Sequence, residues 1–256
     1  MRGFIPPQNR EETVFCKQVY SRCERHYNRG TVYFSSFLNL RQQELFQSQF
    51  NKFSGINLKI YAGFQGDSER KIACVYSGDY EPESWYFPID ILVSKLEKDS
   101  DLNHRDFLGA IMNLKIKRDY IGDIIVEDGV CYIVCHRNMS QLIIDELTQV
   151  GNSSVKFSIY TGELNYTRKV SLQKTVTVAS YRLDRVIGAV LNISRSDSAV
   201  MIKSGIVSVN HLMTKKPDFE TENGDVLSIR HYGKYKLICD GNKSRKDRFF
   251  ITYLKY

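Results

Sequence analysis

The chain has 256 residues, of which 42% are hydrophobic and 25% are charged, and its formal net charge is +7. These values are typical of one to three globular domains and exclude a disordered or collagen-like chain. No apolar run approaches the ~18–20 residues of a membrane span, and residues 1–7 have no apolar core long enough for a secretory signal. We therefore expect a soluble cytoplasmic protein whose six cysteines remain thiols.

The positive charge is concentrated in the last part of the chain. Residues 181–256 contain 14 Lys and Arg against 8 Asp and Glu, so they hold +6 of the +7. A basic module joined to a near-neutral body is typical of proteins that bind a polyanion, such as nucleic acid or an anionic membrane surface. The alternative is that the excess of lysine serves solubility alone.

The first 76 residues predict a helical and mixed N-terminal region. Apolar residues recur at helical spacing between Pro7 and Asn28, and a second helix is expected over residues 39–52. Alternating apolar residues then predict a strand over 56–60, and another strand is expected over 70–76.

Residues 77–165 predict a middle domain with the element order strand, helix, strand, strand, helix, strand. Asn103 is placed to cap the first helix, and Gly151 is placed to end the second. Asp128-Gly129 between two β-branched runs is a strong hairpin signal. This order is the split βαβ arrangement, which hosts many functions, RNA recognition among them. The strands are expected at residues 87–93, 124–126, 130–135 and 155–159.

Residues 166–180 predict a connector with a possible strand, and residues 181–256 predict a basic module of two helices followed by strands. Ser194 stands where a helix N-cap belongs, with Asp197 three positions later as in a capping box. The start of a helix and the arginine side chain both favour phosphate. The residues that point to RNA binding here are Arg182, Arg185, Ser194, Arg195, Ser196 and Lys203.

Each of these residues also has a purely structural interpretation. Ser194 can be an ordinary helix cap, and Arg195 and Lys203 can belong to a solvated helix face.

The motifs of this module resemble the small RNA-binding domain named after ribosomal protein S-four. In that family the helix pair and the following strand form an RNA-binding face that is rich in Arg and Lys. The matching runs, in order and spacing, are Arg182–Asp184, Ile193–Ser196, Ile202–Asn210 and Gly224–Val226. The resemblance implies RNA contacts from Arg182, Ser194, Arg195, Ser196, Lys203, Val209 and Asn210, with Lys215 and Lys216 beside them.

Motifs upstream extend the resemblance over most of the chain. Arg105–Met112, Ile116–Arg118 and Ile121–Ile124 resemble the central domain of bacterial YlmH proteins, and Gly63–Arg70 and Tyr80–Pro82 also fit that family. YlmH-like proteins join a split-βαβ domain to a C-terminal S-four domain. The resemblance implies a non-catalytic protein that binds ribosomal RNA and tRNA at the large ribosomal subunit, in rescue of stalled translation.

One departure concerns the middle domain. Its strand over 130–135 lacks the Lys/Arg-Gly-Phe/Tyr pattern with which RNA-recognition modules stack bases, and Tyr132 is its only aromatic residue. A structural or partner-docking role is therefore as well supported as base readout. The cluster of Lys115, Lys117 and Arg118 is interpreted either as a phosphate contact or, in preference, as a solvated loop.

Two kinds of chemistry were weighed against simple RNA binding. Pseudouridine synthases also carry an Arg-Leu-Asp element, so an RNA-modifying enzyme that uses Asp184 is the first alternative, although only 72 residues follow Asp184. Cys131, Cys135 and His136 could begin a metal site, but no second pair at suitable spacing completes it. We therefore expect an α+β protein without catalysis, cofactor or metal. A protein-docking adaptor is the remaining alternative.

Overall fold

The computed structural model describes residues 5–79, 81–97 and 100–256, so the first residues, used above to judge an export signal, and Tyr80 lie outside it. The chain divides into two compact units, Met1–Thr167 and Arg168–Tyr256. Both mix helices with sheets, which confirms the α+β class. The finer division into 1–76, 77–165, 166–180 and 181–256 stays a prediction. Within the described ranges, no helix is both long enough and apolar enough to cross a membrane.

Asparagine side chains cap several of the described helices, and Asn103 is one that the sequence indicates. Asn9 accepts a hydrogen bond from the Glu12 N–H at 2.8 Å, and Asn103 forms a capping box with Asp106. The described helices are α1 (Arg10–Arg29), α2 (Leu40–Phe50), α3 (His104–Asn113), α4 (Arg137–Glu146), α5 (Leu183–Leu191) and α6 (Arg195–Lys203). Short 3₁₀ turns lie at Ser84–Tyr86 and Arg118–Tyr120.

The first unit is built on two antiparallel sheets. Its described strands are β1 (Tyr33–Leu38), β2 (Asn57–Tyr61), β3 (Gln65–Gly66), β4 (Lys71–Tyr76), β5 (Ile89–Lys95), β6 (Ile121–Glu127), β7 (Val130–His136), β8 (Gln149–Val150), β9 (Ser153–Ser154), β10 (Ser158–Ile159) and β11 (Asn165–Tyr166). A three-stranded sheet has the order β1-β4-β2, and a four-stranded sheet has the order β10-β5-β7-β6. The pairs β3–β11 and β8–β9 form small separate ladders.

The four-stranded sheet confirms the predicted split βαβ arrangement. Its order places β5 between β10 and β7, and each neighbouring pair is antiparallel. Asp128 and Gly129 turn β6 into β7 with positive φ of 49° and 75°, which Asp-Gly tolerates. Helices α3 and α4 cover one face of this sheet over a core that includes Phe107, Ile133 and Ile143.

One prediction for the first unit was wrong in detail, and one of its strands was not predicted. Helix α4 ends at Glu146, and Gly151, with φ of 57°, instead turns the β8–β9 hairpin. Strand β1 was not predicted, because Ser35 and Ser36 break the apolar alternation. The pairing of β1 with β4 shifts register between Phe34 and Phe37, as expected for a bulge.

The second unit is a six-stranded antiparallel sheet on which α5 and α6 pack. Its strands are β12 (Leu172–Val178), β13 (Val207–Val209), β14 (Leu212–Met213), β15 (Val226–Ile229), β16 (Gly233–Ile238) and β17 (Phe249–Lys255), in the order β12-β17-β16-β15-β13-β14. The segment predicted as a connector supplies β12, which pairs with β17 along its whole length. Val186, Ile187, Leu237 and Ile251 are among the buried residues of the shared core.

Candidate nucleic-acid interface

The first turns of α5 and α6 lie against each other. Asn192 ends α5 in the left-handed conformation with φ of 55°, and the Ile193 N–H returns to the Gly188 carbonyl at 3.0 Å. Ser198 then donates from α6 to the Asp184 carbonyl of α5 at 2.6 Å. This tight turn places residues from the start of both helices on one surface.

Asp184 is the centre of that surface. The side chain is 3% exposed and accepts hydrogen bonds from Arg182 Nε at 3.3 Å, Arg182 Nη2 at 3.2 Å and Arg195 Nε at 2.9 Å. Burial alone would raise the pKa of Asp184, but the hydrogen bonds from Arg182 and Arg195 outweigh burial and lower it. An ionised Asp184 therefore fixes two guanidinium groups side by side. Because the two guanidinium groups are both positive and Asp184 carries one negative charge, the group keeps a net charge of one positive unit.

Ser194 and Ser196 extend this group along the start of α6. The Ser194 hydroxyl accepts from the Asp197 N–H at 3.1 Å, which confirms the predicted N-cap. Its oxygen also lies 2.6 Å from Asp197 Oδ2 and 2.7 Å from the Ser196 hydroxyl. We call Arg182, Ser194, Arg195 and Ser196 the arginine group.

The predicted lysines form a second group at the other end of α6. Lys203 is exposed in the last turn, about 12 Å from Arg195 along the helix axis at 1.5 Å per residue. The side chain of Lys215 passes beside Gly205, since a Cβ on that glycine would lie 3.4 Å from Lys215 Cε. Lys215 and Lys216 are both exposed. We call Lys203, Lys215 and Lys216 the lysine group.

Two other predicted residues, Val209 and Asn210, have contacts within the fold, and Arg185 is partly buried. Val209 is 4% exposed, packs in the core and pairs with Leu212 and Leu227 in the sheet, so its role in RNA binding stays a prediction. Asn210 donates from Nδ2 to Asp225 Oδ1 at 2.7 Å and accepts from the Val226 N–H at 2.9 Å. Arg185 is half-buried on α5, one turn after Arg182.

The middle domain presents no open sheet for stacking bases. The face opposite α3 and α4 contributes Ile91, Ile125 and Val134 to a buried cluster that also contains Phe37 and Ile72 from the three-stranded sheet. The approach is close, because a Cβ on Gly122 in β6 would lie 2.8 Å from Phe37 Cε1 in β1. In RNA-recognition modules the corresponding sheet stacks bases on exposed aromatic rings. Here the N-terminal sheet occupies that surface.

The tyrosine and the basic cluster of the middle domain also have structural surroundings. Tyr132 is half-buried against Tyr160, with ring centroids 5.2 Å apart. Arg118 donates from Nη1 to the Ile121 and Gly122 carbonyls, and burial, reinforced by the neighbouring Arg70, lowers the pKa of Arg118 to about 10. Its guanidinium thus supports the bulged start of β6.

The cysteines have the environment of buried apolar residues. Cys131 and Cys135 lie on the same face of β7 in the core under α3 and α4, as predicted. Burial raises the pKa of both thiols, that of Cys135 to about 12. Cys16 and Cys23 are likewise both buried along α1. Among the residues that the structure describes, no group of three His, Cys, Asp or Glu side chains is arranged to hold a metal ion.

Asp184 was weighed from the sequence as a possible catalytic residue, and its role as an acceptor shared by Arg182 and Arg195 was not predicted. Arg182 and Asp184 are two positions apart, a spacing that is visible in the sequence. Arg195 comes eleven positions later and reaches Asp184 only because of the tight turn between the helices. The sequence spacing therefore indicates the contact of Arg182 with Asp184 but not the contact of Arg195 with Asp184.

The chain is similar to a known protein family and to a known bacterial protein. Residues 82–163 match the family described as "Putative RNA-binding domain in YlmH". The chain is 28% identical over 221 residues to the Bacillus subtilis (strain 168) protein named ribosome-associated protein quality control protein P2, an alignment that covers 86% of this chain and 85% of the relative.

A solved structure supports the same assignment at the level of the fold. The structure titled cell division protein YlmH from Streptococcus pneumoniae aligns with a TM-score of 0.52 at 21% identity, over 62% of this chain and 96% of its own length. The resemblance to YlmH proteins that the sequence motifs indicate is thus confirmed for residues 82–163, and the chain as a whole is similar to the relatives named above.

Proposed function

We propose that this protein is a non-catalytic RNA-binding protein of the cytoplasm, which binds ribosomal RNA and tRNA at the large ribosomal subunit during rescue of stalled translation. Its second unit acts as an S-four-type module, with the arginine group and the lysine group as the RNA-binding face. The observation that carries the proposal is the pair of guanidinium groups held on Asp184 at the start of two helices.

The charges of the two units support this assignment. Arg168–Tyr256 contains 17 Lys and Arg against 8 Asp and Glu, a net charge of +9, whereas Met1–Thr167 contains 19 against 21, a net charge of −2. Each phosphate that a cation neutralises releases counterions, which is the main source of sequence-independent affinity for RNA. The second unit therefore has the electrostatics for this binding and the first does not.

The geometry of the arginine group suits phosphate. Each guanidinium carries five N–H donors, and Asp184 accepts from one of them on Arg195 and two on Arg182. Arg195, whose side chain is 55% exposed, thus keeps donors for a bidentate contact with a phosphate. Double-stranded RNA is recognised mainly through its backbone and 2′-hydroxyl groups, which such fixed donors can reach.

The relatives support the ribosomal part of the proposal. The matched family is described as RNA-binding, and the Bacillus subtilis relative is named for ribosome-associated quality control. The enzyme alternative is less well supported, because a catalytic carboxylate must reach its substrate. Asp184 is instead buried beneath two arginines.

Co-sedimentation with ribosomal particles at about 150 mM salt, where non-specific phosphate binding is weakened, tests the proposal. We expect the protein to migrate with the large subunit. The double variant Arg195→Glu, Lys203→Glu should stay at the top of the gradient. A matched control, Lys17→Glu with Arg25→Glu, changes the same charge on the exposed side of α1 and should still migrate.

A second variant guards against misfolding near Asp184. Lys203→Glu with Lys215→Glu lies away from the Asp184 ion pairs and should weaken migration in the same direction. If both double variants sediment like the unchanged protein, the proposed face is wrong. If the unchanged protein remains at the top, the association with the large subunit is wrong.

A further inference from the structure

The loop between β16 and β17, residues 239–248, has a defined shape. The Ser244 N–H donates to the Arg248 carbonyl at 2.7 Å, and the Asp247 N–H donates to the Ser244 carbonyl at 2.9 Å. The Arg248 guanidinium donates to the Thr177 carbonyl of β12 at 2.7 Å, which attaches the loop to the edge of the sheet. Its side chains are therefore presented from fixed backbone positions. We call residues 239–248 the cationic loop.

The cationic loop carries more positive charge than its own acids neutralise. Lys243 pairs with Asp247 at 2.8 Å and lies 4.6 Å from the centroid of the Phe249 ring. Arg245 and Lys246 are exposed, and within the described part of the chain neither forms an ion pair. Arg248 is bonded to a threonine, which has no charge.

The cationic loop adjoins the arginine group. Phe249, which follows the loop, packs against Tyr181 with ring centroids 4.7 Å apart, and Tyr181 immediately precedes Arg182. Phe249 also pairs with Val178 at the end of β12. The loop and the first turn of α5 thus meet at the same aromatic pair, so one extended polyanion can contact both.

We propose that the cationic loop is a second phosphate-binding site, which binds the sugar-phosphate backbone of the RNA held by the arginine group. The inference rests on the proposed function and adds a site outside the helix pair. Arg245 and Lys246 contact phosphates, and such contacts position the RNA without reading its sequence. The bound RNA therefore extends past α5 toward the β16–β17 hairpin.

The salt dependence of binding measures this site directly. For a folded tRNA transcript, the dissociation constant is measured by fluorescence anisotropy from about 50 to about 300 mM KCl, where log K falls with log salt by ~0.7–0.9 per phosphate contact. Arg245→Ala with Lys246→Ala should weaken binding and lower the slope by about 1.4–1.8, the loss of two phosphate contacts.

A matched control and a comparison variant make the outcomes distinct. Lys17→Ala with Arg25→Ala removes one Lys and one Arg from exposed positions of the first unit and should leave the slope unchanged. If the loop variant keeps the original slope while Arg195→Ala with Lys203→Ala weakens binding, the loop site is refuted and the proposed function stands. If neither variant changes the binding, both fail together.

Discussion

The four-stranded sheet and the α5–α6 pair differ in whether their surface is open to a ligand. The sheet has the strand order that many RNA-recognition modules share, yet Phe37 and Ile72 cover the face on which bases would stack. The helix pair offers no stacking ring, but it leaves Arg195 exposed and fixed in position. Topology alone therefore does not locate an RNA-binding surface, because what covers each face decides which one a ligand can reach.

The largest effect is expected from removing the cover of the sheet. Phe37→Ala deletes a fully buried ring between the two sheets of the first unit and should lower the free energy of unfolding by about 3–5 kcal/mol. Urea denaturation measures the change. Tyr27→Ala, at a ring that is more than half exposed on α1, serves as the control and should cost under about 1 kcal/mol. Similar losses in the two variants would mean that Phe37 does not hold the sheets together.

Asp184→Asn should give the next largest effect. The direction of the change in RNA affinity distinguishes positioning of the two arginines from an effect of net charge. Loss of a charged acceptor for Arg182 and Arg195 should destabilise the second unit by about 2 kcal/mol. RNA affinity, measured by anisotropy, should fall although the net charge rises. Asp101→Asn raises the charge equally at an exposed site of the first unit and should leave affinity unchanged. An affinity gain in both variants would show that charge alone matters.

The pH dependence of stability is a second test of the ion pairs that Asp184 forms with the two arginines. The pKa of Asp184 is lowered in the folded protein, because the hydrogen bonds from the two arginines outweigh the effect of burial. The stabilisation is therefore present above the ordinary pKa of an aspartate and is lost as the pH falls through the lower folded value. Thermal melts between about pH 5 and pH 3 should show a steeper loss of stability in the unchanged protein than in Asp184→Asn. Parallel curves would contradict the role given to the ion pairs.

The smallest effect is expected at the covered sheet. Tyr132→Ala removes the aromatic residue on which a base would stack if β7 read RNA, a contact worth about 1–3 kcal/mol per base. Because Tyr132 packs against Tyr160 beneath the N-terminal sheet, affinity for a folded tRNA transcript should change less than about twofold. A tenfold loss of affinity, in a variant whose thermal melt shows it folded, would show that the middle domain does stack bases on Tyr132.

The sequence predicted what depends on neighbouring residues and missed what depends on distant ones. Asn103, Asp128-Gly129 and Ser194 act through hydrogen bonds and backbone angles within a few positions, and each does in the structure what its type favours. Strand β1 escaped prediction because Ser35 and Ser36 interrupt its alternation at a bulge.

The candidate site likewise has features that the sequence predicted and features that only the tertiary structure shows. The arginines and lysines were predicted from residue type and from the family motifs, whereas the bond between Arg195 and Asp184 and the cover over β6 and β7 required tertiary structure. The burial of Val209 follows from its pairing with Leu227 in the sheet, a contact 18 positions away. No local pattern indicates either kind of contact.

The pairing of β12 with β17 also has a consequence for the order of events in folding. Leu172 faces Lys255 and Val178 faces Phe249, so the first strand of the unit finds its partner 71–83 residues later. Contacts of such long range are slow to form, whereas the turn between α5 and α6 closes within a few residues. We expect the helix pair to gain structure early and the sheet to close only after β17 has been synthesised. The outermost strand is then the last part of the unit to become protected from hydrogen exchange.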